Sequence, residues 1–376
     1  MKIVFIIDQV YLHGGIERVL SIKANYFSAI KENKVYILTT EQKQNRPCYD
    51  FSSDIIFKDL DINYNRKISY FHPKNLLKLP KHIIKTRKVI KQIQPDIVVV
   101  CSHSVDTYFI PFINKTIPKV KEFHFSKSIE AIHRQKGSKS KKKYFLKFAD
   151  FVESKYNKLI VLNKDEATYY KTNNVLTIPN PLTFYPDTVA KLNEPVIITA
   201  GRIAKVKNFD ILIDVWELVH HKNKEGQLHI YGSGDLEYIE ALQKKIDAKN
   251  LSNHLILKGA TNQIKNKMLS SSLFVMTSDN ECFPLVLLEA QACGLPIIAF
   301  DCPHGPRNII NENNGVLIKP GDIHGFSDAI LKMMSNSEKR KNFGENARIN
   351  AANYSLESIM KQWYSMFGEL IKQQDN

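Results

Sequence analysis

No run of apolar residues in this chain approaches the ~18 that a membrane-spanning helix needs, so no transmembrane segment is expected. The opening stretch MKIVFIIDQV is apolar but short and reaches Asp8 too soon for a signal peptide; it reads as a buried first strand. Cysteine is scarce. The five thiols, at positions 48, 101, 282, 293 and 302, are odd in number and form no CxxC pair. That excludes a disulfide framework and fits a reducing cytoplasm. Cys282, Cys293, Cys302 and His304 gather in sequence, but their spacing matches no zinc pattern, so small buried thiols are expected and no metal site. The dinucleotide fingerprint GxGxxG is missing; HGGIE (13–17) stands where it would begin. There is no tandem repeat. Acids are the scarce charge, 38 Asp and Glu against 53 Lys and Arg, a net +15. Such an excess suggests an anionic partner: nucleic acid, a membrane surface or a phosphorylated ligand.

What is present is length and alternation. The chain has 376 residues, 43% of them hydrophobic, enough for two ordinary domains with a core each. KIVFIID, KVYILTT, DIVVVCS (96–102) and KLIVLN (158–163) read as strands, with a helical pattern in IERVLSIKANYFSAI. After Pro195 the pattern restarts: VIITAGR, QLHIYGSG, HLILKGA, LFVMTS and PIIAFD, with helices between them. Continuous Val and Ile runs between helices indicate parallel strands covered on both faces. Two such series predict two Rossmann-like domains with a cleft between them. The boundary is expected in IPNPLTFYPDTVAKLNEP (178–195), which carries four prolines, giving domains of 1–180 and 190–355. The final segment 356–376 reads as one amphipathic helix that packs back on the first domain.

The basic excess is uneven. Between Ala131 and Ala149 there are seven basic residues and no acid. The stretch 72–94, HPKNLLKLPKHIIKTRKVIKQIQ, mixes lysines with Leu and Ile at helical spacing. Both read as surface faces toward something negative.

Ligands of open parallel sheets bind beyond the carboxyl ends of the strands. Four loops there carry chemistry. In HGGIE, Gly14 and Gly15 let backbone approach a ligand, and the helix that follows favours an anion. In GRIAKVKN (201–208), Arg202 and Lys207 are placed to clamp a diphosphate, or else are plain surface charge. In DNECFPLVLLEA (279–290), two glutamates stand eight positions apart. On one continuous helix they would point about 80° apart and lie ~12 Å apart along the axis. Pro284 argues against that: it belongs near a helix start. Glu281 is then a loop residue, and Glu289 lies inside the helix. The amides of Leu285 and Val286 lack intrahelical partners and can cradle phosphate, while Glu289 can accept from ribose hydroxyls. Gly294 in CGLP is a good C-cap, with Pro296 blocking continuation. His124 in EFHF and His103 in CSHS each follow an apolar step at a strand end, where an isolated histidine is more often structural.

GGIERVL, GRIAKVKNFDILI, IYGSGDLEYI and above all ECFPLVLLEAQACGLPIIA resemble the family 4 (GT4) retaining glycosyltransferases of the GT-B fold, most strongly over 196–320. The resemblance implies two Rossmann-like parallel-sheet domains facing across a cleft and metal-independent transfer of a sugar from a nucleotide donor, most often UDP-linked. It implies that Glu281 lies by the donor sugar's hydroxyls, that Glu289 binds ribose, and that Arg202 and Lys207 hold the diphosphate, aided by Gly14 and Gly15. His124 is the N-domain histidine near the anomeric centre. His103, Lys141, Lys142 and Lys143 fall on the acceptor or membrane side. Acceptors in this family are often lipid-linked, and the aromatic-dotted lysine run suits an anionic bilayer at the inner face of the cell membrane. Cys282 departs from the glycine many members have, and Asn308 stands where an acid is common. The triplet Asp59-Leu60-Asp61 resembles the metal motif of the GT-A architecture but has no nucleotide motif around it, so no metal is assigned.

Three other readings are compatible with parts of the chain. The charge alone would suit a nucleic-acid-binding protein, but no recognised module or stacking motif is present. A GT-B epimerase or phosphorylase, and a domain that binds nucleotide sugar without transfer, share the same motifs.

Overall fold

The computed structural model describes residues 1–128 and 141–373. The first part of the basic run 131–149 and the side chains of Lys141 and Lys142 lie outside the described residues. The chain divides into two compact units: residues 1–179 with 359–376, and residues 180–358.

The first unit contains strands β1 (Lys2–Ile7), β2 (Lys34–Thr39), β3 (Ile56–Asp59), β4 (Ile97–Val100), β5 (Lys119–Glu122), β6 (Lys158–Val161) and β7 (Val175–Thr177). They form one parallel sheet in the order β3-β2-β1-β4-β5-β6-β7. β1 and β4 are its apolar centre, with Ile3 to Ile6 and Ile97 to Val100 fully buried. Such two-sided burial is what a parallel sheet with helical crossovers imposes. β5 is different: it reads KVKE, and all four residues are buried.

The second unit contains β8 (Val196–Ala200), β9 (Gln227–Tyr231), β10 (Leu255–Gly259), β11 (Leu273–Met276), β12 (Ile297–Phe300) and β13 (Gly315–Ile318). All pair in parallel, in the order β10-β9-β8-β11-β12-β13. The Phe209–Lys222 helix buries Leu212, Ile213, Val215, Trp216 and Val219 against it, the spacing of an apolar helical stripe.

The Leu356–Lys372 helix begins at the end of the second unit but belongs largely to the first. It buries Ile359, Met360, Trp363, Met366, Phe367 and Leu370, and Phe367 stacks on Phe27 of the Gly15–Ser28 helix at 5.3 Å. No helix among the described residues is long and apolar enough to cross a membrane.

Candidate active site

Both sheets reverse strand order between two neighbours: β1 and β4 in the first unit, β8 and β11 in the second. Loops leaving the carboxyl ends of such a pair diverge and leave a crevice for ligand.

In the second unit three loops meet there. The loop after β8 carries Arg202 and Lys207. The loop after β11 carries Glu281. The loop after β12 carries His304 and Asn308. Lys207 Nζ donates to Glu281 Oε1 at 2.5 Å, with side chains 22% and 13% exposed, so the pair is sheltered but reachable. Backbone fixes both partners. Asp279 N donates to Val206 O at 2.9 Å, and Asn208 Nδ2 donates to Asp279 Oδ1 at 2.8 Å. Gly305 N donates to Glu281 O at 2.8 Å. A Cβ on Gly305 would stand 2.7 Å from that same carbonyl oxygen, so only glycine allows this approach. Arg202 is exposed on the same loop as Lys207.

The Leu285–Ala292 helix starts one residue after Pro284, which is its N-cap. Leu285 and Val286 are therefore in its first turn, where amides have no preceding intrahelical carbonyl. Glu289 is buried, and Thr183 Oγ1 donates to its Oε1 at 2.6 Å. The helix ends in a Schellman motif. Gly294 N donates to Gln291 O, Leu295 N donates to Ala290 O, and Gly294 takes φ +76°. Glu281 is thus a loop residue and Glu289 a helical one. Asn308 holds the β12 loop: its Nδ2 donates to His304 O at 2.8 Å, and its carbonyl accepts from Tyr354 at 3.1 Å. Cys282, Cys293 and Cys302 are buried and take part in no disulfide.

In the first unit, His103 follows β4 and His124 follows the adjacent β5. Their rings sit edge to face, 6.4 Å apart, and His103 packs on Phe125 at 4.1 Å. Burial, with the charge of Lys121 adding to it, pushes His103 well below its ordinary value, so it is neutral. His124 Nε2 lies 3.3 Å from Glu122 Oε1. Burial works against the charge of Glu122, but Lys23 and His124 overcome it and hold the carboxyl well below its usual range.

Gly14 precedes the Gly15–Ser28 helix in extended conformation, not in a tight left-handed turn. The Glu17 carboxylate fills the space where a Gly14 side chain would stand, and Gln9 Nε2 donates to it at 2.6 Å. Burial raises the pKa of Glu17. An acid of the chain's own therefore sits beside the glycines that were expected to receive an anion; the space beside Gly15 is open.

Several polar residues at these edges carry no sequence signal of their own. Asp8, after β1, accepts from Tyr70 at 3.3 Å and has Arg66 at 3.8 Å; burial and the nearby Asp106 raise it to about 7. Asp106 accepts from Ser102 and Ser104. Glu122 and Lys23 are equally silent; the one available cue is charge inside a strand-length slot, KVKE before FHF. Asp59 caps its own loop, accepting from Thr39 Oγ1 and from the amides of Lys43 and Asp61. Among the described residues no group of His, Cys, Asp and Glu is arranged to hold a metal ion.

Residues 184–350 match the family model for glycosyl transferases group 1. An uncharacterized glycosyltransferase of Haemophilus influenzae is 27% identical over 96% of this chain and 98% of its own length. The poly(ribitol-phosphate) alpha-N-acetylglucosaminyltransferase of Staphylococcus aureus is 32% identical over 61% of this chain and 46% of its own. Among solved structures, S. aureus TarM in complex with UDP and alpha-GlcNAc-glycerol superposes with TM-score 0.75, at 19% identity, over 97% of this chain and 99% of that one. The fold is therefore GT-B. Residues 184–350 thus resemble a group 1 glycosyl transferase domain, carried in a chain whose fold is GT-B.

Proposed function

We propose that the protein is a retaining, metal-independent glycosyltransferase that moves a sugar from a UDP-sugar to a lipid-linked or surface-glycan acceptor. The observation that carries this is the convergence of Lys207, Glu281 and the first turn of the 285–292 helix at the carboxyl edge of β8, β11 and β12. Cleaving a sugar–phosphate bond builds negative charge on the diphosphate. Lys207, Arg202 and the amides of Leu285 and Val286 are donors for that charge, held in place before the reaction. With cations and a helix N-terminus at the diphosphate, the chemistry needs no divalent ion. Glu289 receives the ribose hydroxyls, with Thr183 already holding one carboxylate oxygen in position. Glu281, paired to Lys207, orients the donor sugar. His124 takes the role the resemblance gives it, at the anomeric centre of the donor sugar. The departing phosphate oxygen takes the acceptor's proton on the same face, so no protein base is required. The poly(ribitol-phosphate) glycosyltransferase activity named for the S. aureus relative and the UDP in the TarM structure support a UDP-sugar donor and a glycan-type acceptor.

The membrane side of the reading rests on a patch of the first unit. The Lys141–Glu153 helix exposes Tyr144 (73%), Phe148 and Phe151, together with Lys143 and Lys147. Phe71 packs on Phe145 at 5.0 Å, and Phe112 stacks on Phe151 at 6.0 Å, which extends the apolar surface across three segments. Aromatic rings with lysines between them suit the headgroup layer of an anionic bilayer at the inner face of the cell membrane.

The decisive experiment is a thermal-shift series with UDP, GDP, ADP and their common sugars, without added metal. A stabilising shift with UDP ligands, abolished in Glu289→Ala, is expected. Equal shifts in wild type and variant, or a shift only with another nucleotide, would overturn the assignment.

A further inference from the structure

Glu122 is the hub of a buried chain of groups that donor binding does not by itself require. It pairs with Lys23 of the Gly15–Ser28 helix, both side chains being 1% exposed. Lys23 Nζ in turn lies 4.3 Å from the centroid of the Trp363 ring, which the C-terminal helix buries. Cys101 Sγ donates to Glu122 Oε2 at 3.5 Å. The nearby Lys121 ammonium is already engaged, donating to the carbonyls of Val100 at 3.3 Å and Glu122 at 3.0 Å. The remaining partner of the Glu122 carboxylate is His124, at the carboxyl edge of the sheet.

A buried ion pair is a poor way to gain stability; apolar residues of similar size do as well or better. A carboxylate hydrogen-bonded to one ring nitrogen, however, decides which nitrogen of a histidine carries the proton. We propose that Glu122 is the positioning residue of His124: it holds the imidazole proton on Nε2 and leaves Nδ1 as a hydrogen-bond acceptor, while Lys23, backed by Trp363, keeps Glu122 charged and in place. This rests on the reading of His124 as the group that meets the donor sugar. There, Nδ1 accepts from a sugar hydroxyl. The C-terminal helix thereby becomes part of the site's support and not merely a closing strap.

The test is nuclear magnetic resonance of 15N-histidine protein at pH 8.5, with the His124 signals assigned by their loss in His124→Gln. The wild type is expected to show the single Nε2–H tautomer. Lys23→Met/Glu122→Met replaces the pair by apolar chains of similar length. It is expected to keep the fold, seen as a melting temperature within a few degrees, and to show signals averaged between the two tautomers. With UDP-glucose and UDP-N-acetylglucosamine, release of UDP should lose about 10- to 100-fold in kcat with little change in KM. An Nδ1–H tautomer or a doubly protonated ring in the wild type, or an unchanged tautomer in the double variant, would overturn the proposal. The spectroscopic arm needs no substrate. If His124→Gln releases UDP at the wild-type rate, it is the sugar-contact reading that fails, and the tautomer result stands apart from it.

Discussion

Counted outward from the switch point, β5 in the first unit and β12 in the second occupy the same place in their sheets. β12 reads IIAF and β5 reads KVKE, and both are wholly buried. In the second unit β12 and its neighbours β11 and β13 carry no charged residue, and the charges described above stand in the loops beyond the strands. In the first unit charge is built into the sheet. Lys119 Nζ donates to the carbonyls of Asn114 and Ile117 at 2.8 and 2.6 Å, Lys121 to those around it, and Glu122 pairs with Lys23. Apolar strands position a site by rigidity alone. Charged strands do it through hydrogen bonds with direction, and carry the desolvation cost that goes with them. The proposed roles differ in the same way: a nucleotide bound by loops in the second unit, one oriented imidazole in the first.

The sharpest way to break this contrast is at the phosphate end. Arg202→Ala with Lys207→Ala should abolish sugar transfer, by 10³-fold or more, since one donor to a developing oxyanion contributes ~10²–10³. Turnover near wild type would remove the second unit's loops from the chemistry. His124→Ala should lower kcat by about 10²-fold and leave UDP affinity by calorimetry unchanged. A loss of UDP affinity would show that the two units do not divide the donor as stated. Glu289→Ala should weaken UDP binding by about 1–3 kcal/mol, the scale of a buried partner left unmatched. Lys141→Ser with Lys142→Ser and Lys143→Ser should reduce binding to anionic liposomes by ~1 kcal/mol per lysine and spare donor hydrolysis; undiminished liposome binding would end the membrane reading.

The smallest effect tests the charged strand directly. Burial lowers Lys119 and Lys121 to about 8 each. At pH 7 both keep their protons in the folded and the unfolded chain. As pH rises through about 8 the folded chain releases them, while the unfolded chain holds them to ~10.4. The unfolded state then binds more protons, so these lysines make stability rise with pH over that window. Chemical denaturation at pH 7.5 and 9.5 should show this rise in the wild type, and a smaller one in Lys119→Met/Lys121→Met. An equal rise in both would mean that the strand's lysines are not desolvated.

Periodicity along the chain was enough for most of the fold. β1, β2, β4, β6, β8 to β12 and the helices among them are legible because apolar runs bounded by turn residues have few other stable uses. β3, β7 and β13 are short runs at or near sheet edges and do not stand out. β5 is invisible to hydropathy, since three of its four residues are ionisable. Pro284 is readable as a helix start because proline's fixed φ and missing amide allow few other places. The pairing of Lys207 with Glu281 is not readable, because 74 positions separate them.

By itself, then, the sequence determined local matters: most of the strands, where the 285–292 helix begins and ends, and which strand-end loops carry glycines and charges. These follow from dihedral limits, periodicity and capping, which act over a few residues. Tertiary structure alone decided the rest. It set Glu17 beside Gly14, bound Thr183 to Glu289, and joined Lys23, Glu122 and His124 beneath Trp363. Those outcomes depend on which distant groups share a low-dielectric space, and desolvation and pairing have no sequence period to read.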